Sequence, residues 1–329
     1  MSGRGRIDKA RWQLASPLLD QLLDADIAER AAQLARIRRT DRRLAAELEA
    51  LLVESKAARR EAFLERSLLR TEAGAEGARV GGYVLESPIG RGGMGSVWLA
   101  RRHGDGMPAR VAVKFLHLAL LRHRGGERFR REGEMLARLA HPNIARLIDA
   151  GVAQGGQPYL VLEHVEGLPI DEWCDSRSLS AAARIRLFID VLAAVSHAHA
   201  RLVLHCDLKP SNIFVTHEGV VKLLDFGVSR RLGEASPAQS SRPKTSVVLS
   251  AFTPRFAAPE QIESQETTTA TDVYALGGLL RLLLADRPEL QHIVVKALRP
   301  SPAERYATPA EMARDLQACL DRQDGARSL

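Results

Sequence analysis

The feature that most restricts how this chain can fold is a pair of short motifs in its second half. The first is His205-Cys206-Asp207-Leu208-Lys209-Pro210-Ser211-Asn212, and the second, after a short apolar run, is Asp225-Phe226-Gly227. One turn and hairpin would bring a carboxylate base, an amine suited to phosphate and two oxygen ligands suited to Mg²⁺ to the same place. The stretch therefore predicts a catalytic site rather than a structural loop.

Composition places the chain among ordinary soluble globular proteins. Its 329 residues are 45% hydrophobic and 26% charged, and 47 Lys and Arg outnumber 40 Asp and Glu for a net charge of +7. A basic balance can indicate a nucleic-acid partner. Here the basic residues are mostly arginine and are spread without a dense block. We therefore expect no nucleic-acid partner.

Cysteines, histidines and apolar runs exclude several other classes. Cys174, Cys206 and Cys319 form neither a disulfide framework nor a CxxC pair, which fits a reducing cytosol. His197 and His199 have no metal-ligand spacing, so we expect them to be ordinary helix or core residues. No apolar run reaches the roughly 18 to 20 residues of a membrane span. The expectation is a soluble, cytoplasmic protein.

The pattern of apolar residues divides the chain into two parts. Residues 1–79 combine short helices, with leucines spaced three and four apart, and a linker rich in Gly and Ala. In residues 80–325, short strand-like runs and one helix come first, and helical periodicity dominates after Leu179. The predicted strands are residues 83–89, 96–100, 110–116, 145–150 and 159–165, and the predicted helix is 127–139.

A glycine-rich stretch, Gly90-Arg91-Gly92-Gly93-Met94-Gly95-Ser96-Val97, joins the first two predicted strands. Glycine lets a backbone approach phosphates closely and offers N–H donors without a side chain in the way. A helix would follow a dinucleotide-binding loop, whereas Ser96-Val97-Trp98-Leu99-Ala100 is typical of a strand. The stretch therefore predicts a hairpin that covers a nucleotide.

Lys114 lies in the third predicted strand, in Val111-Ala112-Val113-Lys114. Alternation along a strand places Ala112 and Lys114 on one face. A charge on that face must meet an anion or water. The alternation leaves open which of the two Lys114 meets.

Together and in this order, these motifs resemble those of bacterial Hanks-type (eukaryotic-like) Ser/Thr protein kinases. The resemblance implies an α+β, two-lobed kinase fold, with a small β-rich N-lobe carrying one helix, residues 80–165, and a mainly helical C-lobe, residues 166–325. It also implies transfer of the γ-phosphoryl group of ATP to Ser or Thr hydroxyls of protein substrates. The metal would be Mg²⁺, with Mn²⁺ able to take its place.

The resemblance assigns a role to each polar residue of the two motifs. Asp207 would be the catalytic base that orients the attacking hydroxyl. Lys209 would neutralise charge on the transferring phosphoryl group. Asn212 and Asp225 would hold the metal ions as hard oxygen ligands.

In the same resemblance, Lys114 contacts the α- and β-phosphates and pairs with an acidic residue on the helix that follows. Glu132 is the expected partner because its register places Leu136 and Leu139 on the apolar face of that helix. Glu134 is the alternative.

The nucleotide contacts also follow from the resemblance. Leu162 would lie at the back of the adenine pocket, and backbone groups of Glu163 and Val165 would bond to the base. The residues expected to cover the ring and the phosphates are Ile89, Gly90, Arg91, Gly92, Gly93, Met94, Gly95, Ser96, Val97, Ala112 and Phe214.

Two further interactions would be structural. Asp272 would anchor the backbone of the catalytic loop. Arg305 would form a buried pair with Glu260, because a bidentate guanidinium suits that role.

Cys206 stands where most members of the family have Arg. That Arg pairs with a phosphorylated residue of the activation segment, and a thiol cannot form such a charge-assisted hydrogen bond. We therefore expect activity that does not require phosphorylation of the segment between Gly227 and Ala258.

The chain is also shorter than the family pattern after Leu284. The helix that helps to dock protein substrates in the family is missing from the sequence at this point. The helices before residue 71 are a candidate surface for partners or substrates, and simple packing on the kinase domain is the alternative.

Two other functional interpretations stay open. One is a pseudokinase that acts as a nucleotide-binding scaffold, and the other is a small-molecule kinase on a related fold.

Overall fold

The structure of the chain is a computed structural model. It describes residues 18, 21–22, 27–49, 52, 76–92, 95–103, 110–116, 133, 136–154, 156–226, 230–231, 256–263, 265–284 and 287–327. Most of the helix predicted for residues 127–139 lies outside the described residues. So do Glu132, Glu134, Gly93 and Met94.

An antiparallel sheet of six strands forms the first lobe, in the order β1-β2-β3-β4-β6-β5. The strands are β1 Arg79–Val80, β2 Tyr83–Gly92, β3 Gly95–Arg102, β4 Arg110–Leu116, β5 Leu147–Val152 and β6 Pro158–Glu163. All five predicted strands are present, with ends shifted by at most three residues. The end of β6 differs from the prediction for a structural reason. The strand ends at Glu163 because the chain there leaves the sheet for the second lobe.

The register of this sheet separates a core face from a site face. Trp98, Val113 and Val161 lie opposite one another and are buried in the apolar cluster of the lobe. Alternation turns the neighbouring row, Val97 and Lys114, to the other face. The sheet therefore directs one charged side chain away from its own core.

The second lobe is mainly helical. Its helices are α2 Ile170–Ser176, α3 Ala181–His199, α4 Pro259–Ile262, α5 Thr269–Leu283, α6 Gln291–Ala297 and α7 Pro309–Arg327, and α1 Ile27–Thr40 precedes both lobes. Its short strands are β7 Gly167–Pro169, β8 Val203–Leu204, β9 Ile213–Thr216, β10 Val221–Leu223 and β11 Arg230–Arg231.

Packing in this lobe centres on α3 and α5. Ser180 caps the start of α3 by accepting a hydrogen bond from the Ala183 N–H at 3.3 Å. The face of α3 that carries Ile185, Phe188 and Leu192 is fully buried. Helix α5 is apolar almost all round, as expected of a helix enclosed by the lobe.

The shortened region predicted after Leu284 is confirmed. Only residues 284–287 separate α5 from the short 3-10 helix Pro288–Leu290, and α6 begins directly after it. Helices α5 and α6 pack closely at Gly277, where a Cβ atom would lie 2.7 Å from the Cβ of Ala297. A docking helix between α5 and α6 has no residues from which to form.

A buried ion pair connects α4 to the chain before α7, as predicted. Arg305 Nη1 and Nη2 donate to the Glu260 carboxylate at 2.7 and 2.8 Å. The same guanidinium donates to the carbonyls of Arg299, Ala270 and Pro300 at 2.7, 2.8 and 2.9 Å. All of the donors are used, so this charge is buried without an unsatisfied group.

The segment before residue 80 contributes a leucine cluster. Leu22, Leu44, Leu48 and Leu52 are buried together, and the partly buried residues against them include Ile262, the last residue of α4. The N-terminal helices thus contact the second lobe at the end of α4. Among the described residues, no helix has the length and apolarity to cross a bilayer.

We predict that Arg305→Met destabilises the protein by about 3–5 kcal/mol, because the Glu260 carboxylate would stay buried without its partner. Urea unfolding measures the difference. The control is Arg110→Met, which removes an exposed pair with Glu166 at 3.5 Å and should change stability by less than about 1 kcal/mol. Equal losses in the two variants would contradict the prediction.

Candidate active site

Asp272 on α5 holds the backbone of the catalytic loop. Its carboxylate accepts hydrogen bonds from the N–H groups of His205 at 2.9 Å and Cys206 at 2.8 Å. His199 at the end of α3 donates from Nε2 to the same carboxylate at 2.8 Å. The anchoring role predicted for Asp272 is therefore present, and His199 is a member of the anchor that the sequence did not reveal.

Asp272 is only 1% exposed, yet it keeps its charge. Burial acts to raise the pKa of the Asp272 carboxyl, but the hydrogen bond and charge of His199 and the His205 N–H outweigh burial. Together they hold this pKa below its ordinary value. An ionised carboxylate is a stronger acceptor for the two backbone N–H donors than a neutral carboxyl group would be.

The residues predicted to act on the phosphoryl group lie together in the loop that follows. Lys209 Nζ is 2.8 Å from Asp207 Oδ2. Asn212 Nδ2 donates to the Asp207 carbonyl at 2.8 Å and to Asp207 Oδ2 at 3.2 Å. These contacts fix the direction of the Asp207 carboxylate.

Asn212 also connects this loop to the second motif. The N–H of Leu224, the residue before Asp225, donates to the Asn212 carbonyl at 2.8 Å. Two oxygen-bearing side chains predicted to bind metal are therefore placed on neighbouring backbone segments. Both hydrogen bonds of the Asn212 amide use its nitrogen, so its oxygen is the atom that suits a hard cation.

Lys114 meets Asp225 across the cleft between the lobes. The two side chains form an ion pair, with Lys114 almost fully buried and Asp225 about one-third exposed. Leu136, Leu160, Leu162 and Phe226 line the same cavity. The sheet and the catalytic hairpin thus converge on one cleft, which is the arrangement that the motifs predict.

Phe226 packs below this cavity. Its ring lies 4.7 Å from the His205 ring, measured between centroids, and His205 Nε2 donates to the Leu224 carbonyl at 2.9 Å. Leu136 lines the cavity with Phe226.

The expected pairing of Lys114 with Glu132 concerns a residue outside the described part of the chain and stays a prediction.

The described residues of the glycine-rich stretch pair β2 with β3, as the predicted hairpin requires. Gly90 lies opposite Val97, and Arg91 lies opposite Ser96. Gly95 has φ 148°, and a Cβ there would lie 1.8 Å from the Phe115 carbonyl oxygen, so only glycine fits. Ile89 is exposed on this hairpin.

The remaining predicted nucleotide contacts lie on β4, at the end of β6 and in the second lobe. Ala112 lies opposite Leu162, on the face of β4 that also carries Lys114. Glu163 lies opposite Val111 at the end of β6, where its N–H donates to the Arg146 carbonyl at 2.8 Å and its carboxylate contacts Lys222 at 2.7 Å. Val165 follows in the connection between lobes, and Phe214 is half-buried on β9.

Comparison with known proteins agrees with this geometry. A family model described as "Protein kinase domain" matches residues 83–316. This match covers most of the chain, and the chain belongs to the protein kinase family.

Bacterial kinases are among the curated relatives of this chain. A probable serine/threonine-protein kinase of Streptomyces coelicolor, SCO3848, is 33% identical over 285 residues, covering 75% of this chain and 41% of the relative. The serine/threonine-protein kinase Pkn1 of Myxococcus xanthus is 31% identical over 280 residues, covering 74% and 39%. The chain spans about two-fifths of the length of these relatives.

A solved structure shows the same fold. The PknI kinase domain of Mycobacterium tuberculosis superposes with a TM-score of 0.56 at 25% identity, covering 75% of this chain and 99% of that domain. The two-lobed α+β kinase fold is therefore confirmed.

Proposed function

We propose that the chain is an active Ser/Thr protein kinase that transfers the γ-phosphoryl group of ATP to protein hydroxyls. The observation that carries the proposal is the contact of Lys114 with Asp225 beside the linked residues Asp207, Lys209 and Asn212. A cation for phosphates, a base and two oxygen ligands in one cleft suit in-line phosphoryl transfer.

In this proposal the residues of the catalytic loop divide the chemistry. Asp207 accepts a hydrogen bond from the substrate hydroxyl, orients it and receives its proton. Lys209, already 2.8 Å from Asp207 Oδ2, neutralises charge on the group in transfer. Asn212 and Asp225 would hold Mg²⁺, or Mn²⁺, which would supply positive charge to neutralise the phosphates.

The nucleotide lies between the β2–β3 hairpin and the catalytic loop in this proposal. Leu162 and Ala112 face the adenine, and the hairpin glycines give backbone N–H groups to the phosphates. The Glu163 N–H is already bonded to Arg146. Val165 is therefore the proposed N–H donor to the base, and Glu163 contributes its carbonyl.

Cys206 supports the further proposal that activity does not depend on phosphorylation of the activation segment. A phosphate on that segment needs a cation near the catalytic loop, and position 206 supplies a buried thiol. Of the segment between Gly227 and Ala258, residues 228–229 and 232–255 lie outside the described residues.

Cys206 and the short second lobe also support a second candidate, a pseudokinase that binds nucleotide as a scaffold. Against it, Lys114, Asp207, Asn212 and Asp225 are all of the types that catalysis needs. A scaffold would not require all of them. A small-molecule kinase has less support, because Ala258-Pro259-Glu260 forms the helix that borders a peptide-binding segment in the family.

We also infer that the N-terminal helices help to recruit protein substrates. Their leucine cluster contacts Ile262 at the end of α4, on the lobe that has no docking helix. Exposed arginines lie along this segment at Arg36, Arg38, Arg39, Arg42 and Arg43. Arg38 pairs with Glu49 and Arg43 with Glu47. The other three present positive charge that fits an acidic region of a substrate.

The first test compares the wild-type chain with Asp207→Asn in transfer of label from ATP, with Mg²⁺, to the chain itself, to a histone and to casein. We expect the variant to lose about 10²–10⁴-fold in rate because it lacks the base. ATP binding, measured by calorimetry, should persist. Wild-type protein that binds ATP but transfers no more label than the variant would establish the scaffold instead.

The second test replaces Ser240, Ser241, Thr245, Ser246 and Ser250 with Ala together. If position 206 cannot use a phosphate, the variant keeps most of the wild-type transfer rate to an added protein. Mass spectrometry of the wild-type chain shows which of these residues carry phosphate. A collapse of activity in the variant would refute independence from phosphorylation.

The third test replaces Arg36, Arg39 and Arg42 with Ser. We expect a higher KM for an acidic protein such as casein, because docking charge is lost, and an unchanged KM for ATP. The control removes the same charge from the second lobe with Arg281→Ser, Arg287→Ser and Arg314→Ser, three exposed positions. Equal effects of the two triple variants would exclude a specific docking surface.

A further inference from the structure

Gln261 on α4 is a buried amide that bonds at one end to the catalytic loop and at the other end to the residue before its own helix. It is 4% exposed. Its Nε2 donates to the Cys206 carbonyl at 2.8 Å, and its Oε1 accepts from the Ala258 N–H at 2.9 Å. A buried amide with both ends paired connects the catalytic loop to the start of α4.

The Cys206 carbonyl is a sensitive place for such a contact. Cys206 has φ 64°, a left-handed conformation that a non-glycine residue adopts only when its surroundings enforce it. Asp272 holds the N–H of Cys206, and Gln261 holds its carbonyl. The next peptide unit leads directly to Asp207, so its orientation depends on both anchors.

The other end of the bridge is rigid. Glu260, beside Gln261, accepts from Thr271 Oγ1 at 2.9 Å and from the Arg305 fork. These contacts fix α4 to α5 and to the chain before α7. Movement of α4 relative to the catalytic loop must therefore strain or break the Gln261 bridge.

We propose that Gln261 is a positioning residue that holds α4, the helix that borders the peptide-binding segment, and the catalytic loop in register without a phosphate. The inference rests on the proposed kinase function. The bridge uses the carbonyl of residue 206, so it does not depend on the side chain there. A neutral amide thereby performs the coupling that a cation at position 206 would otherwise make with a phosphorylated segment.

The experiment uses two variants of the full chain. Gln261→Met removes both hydrogen bonds at similar volume. Gln261→Glu keeps the acceptor for Ala258, but its carboxylate can donate to the Cys206 carbonyl only when protonated. Gln265→Glu is the control, since Gln265 is exposed and its amide donates to Glu263 at 2.6 Å.

We expect Gln261→Met to lower kcat/KM for casein by about ten- to a hundredfold, because α4 and the catalytic loop would lose their register and a small misplacement of the protein hydroxyl is costly for transfer. Hydrolysis of ATP by water, which needs no peptide-binding segment, and the KM for ATP should change less than about twofold. Gln261→Glu should transfer phosphate at low pH and lose this activity as pH rises through the pKa of its carboxyl, which burial raises. This loss of activity with rising pH should be absent from the wild-type chain, from Gln261→Met and from Gln265→Glu.

Hydrogen–deuterium exchange gives a readout that does not need catalysis. The backbone amides of residues 205–207 should exchange faster in Gln261→Met than in the wild-type chain, even if the chain proves to be a scaffold. Unchanged exchange and unchanged kcat/KM would overturn the proposal. Equal losses of ATP hydrolysis and protein phosphorylation would also overturn it, because they indicate a general loss of folding rather than of register.

Discussion

The catalytic cleft depends on a single buried carboxylate. Asp272 binds two consecutive backbone N–H groups, those of His205 and Cys206, and His199 supports it from α3. Hydrogen bonds to a charged, desolvated acceptor are among the stronger ones in proteins. Because the loop between β8 and β9 has no regular hydrogen-bonded ladder of its own, this carboxylate decides where Asp207, Lys209 and Asn212 lie.

The two lobes use different physical means to place the remaining groups. In the sheet, strict alternation turns Lys114 away from the apolar face that buries Val113. In the second lobe, specific polar contacts position these groups. The Arg305 guanidinium fixes α4, and Gln261 connects α4 to the catalytic loop. The site is thus held by a periodic backbone on one side and by buried side-chain hydrogen bonds on the other.

Sequence reasoning was accurate where one property of the sequence determines the position or the role of a residue. The strand containing Lys114 follows from alternation, and the absence of a docking helix follows from the number of residues after Leu284. The role of Arg305 follows from the family resemblance, which a bidentate guanidinium suits. It was less accurate where the partner is a backbone atom. His199 and Gln261 carry no spacing or charge pattern that identifies a carboxylate or a carbonyl far away in sequence as their partner. The end of β6 was misplaced for a related reason, because the point at which a chain leaves a sheet is a tertiary property.

The short connection after α5 has a thermodynamic consequence for the whole lobe. A long surface excursion must be ordered on folding, and ordering each residue opposes the folded state through lost chain entropy. Here the chain passes from α5 to α6 with few residues to immobilise, while the close approach at Gly277 keeps dispersion contacts between the two helices. A second lobe with a smaller docking surface can therefore fold as readily as a larger one. Recognition of protein substrates is then free to use another surface of the chain.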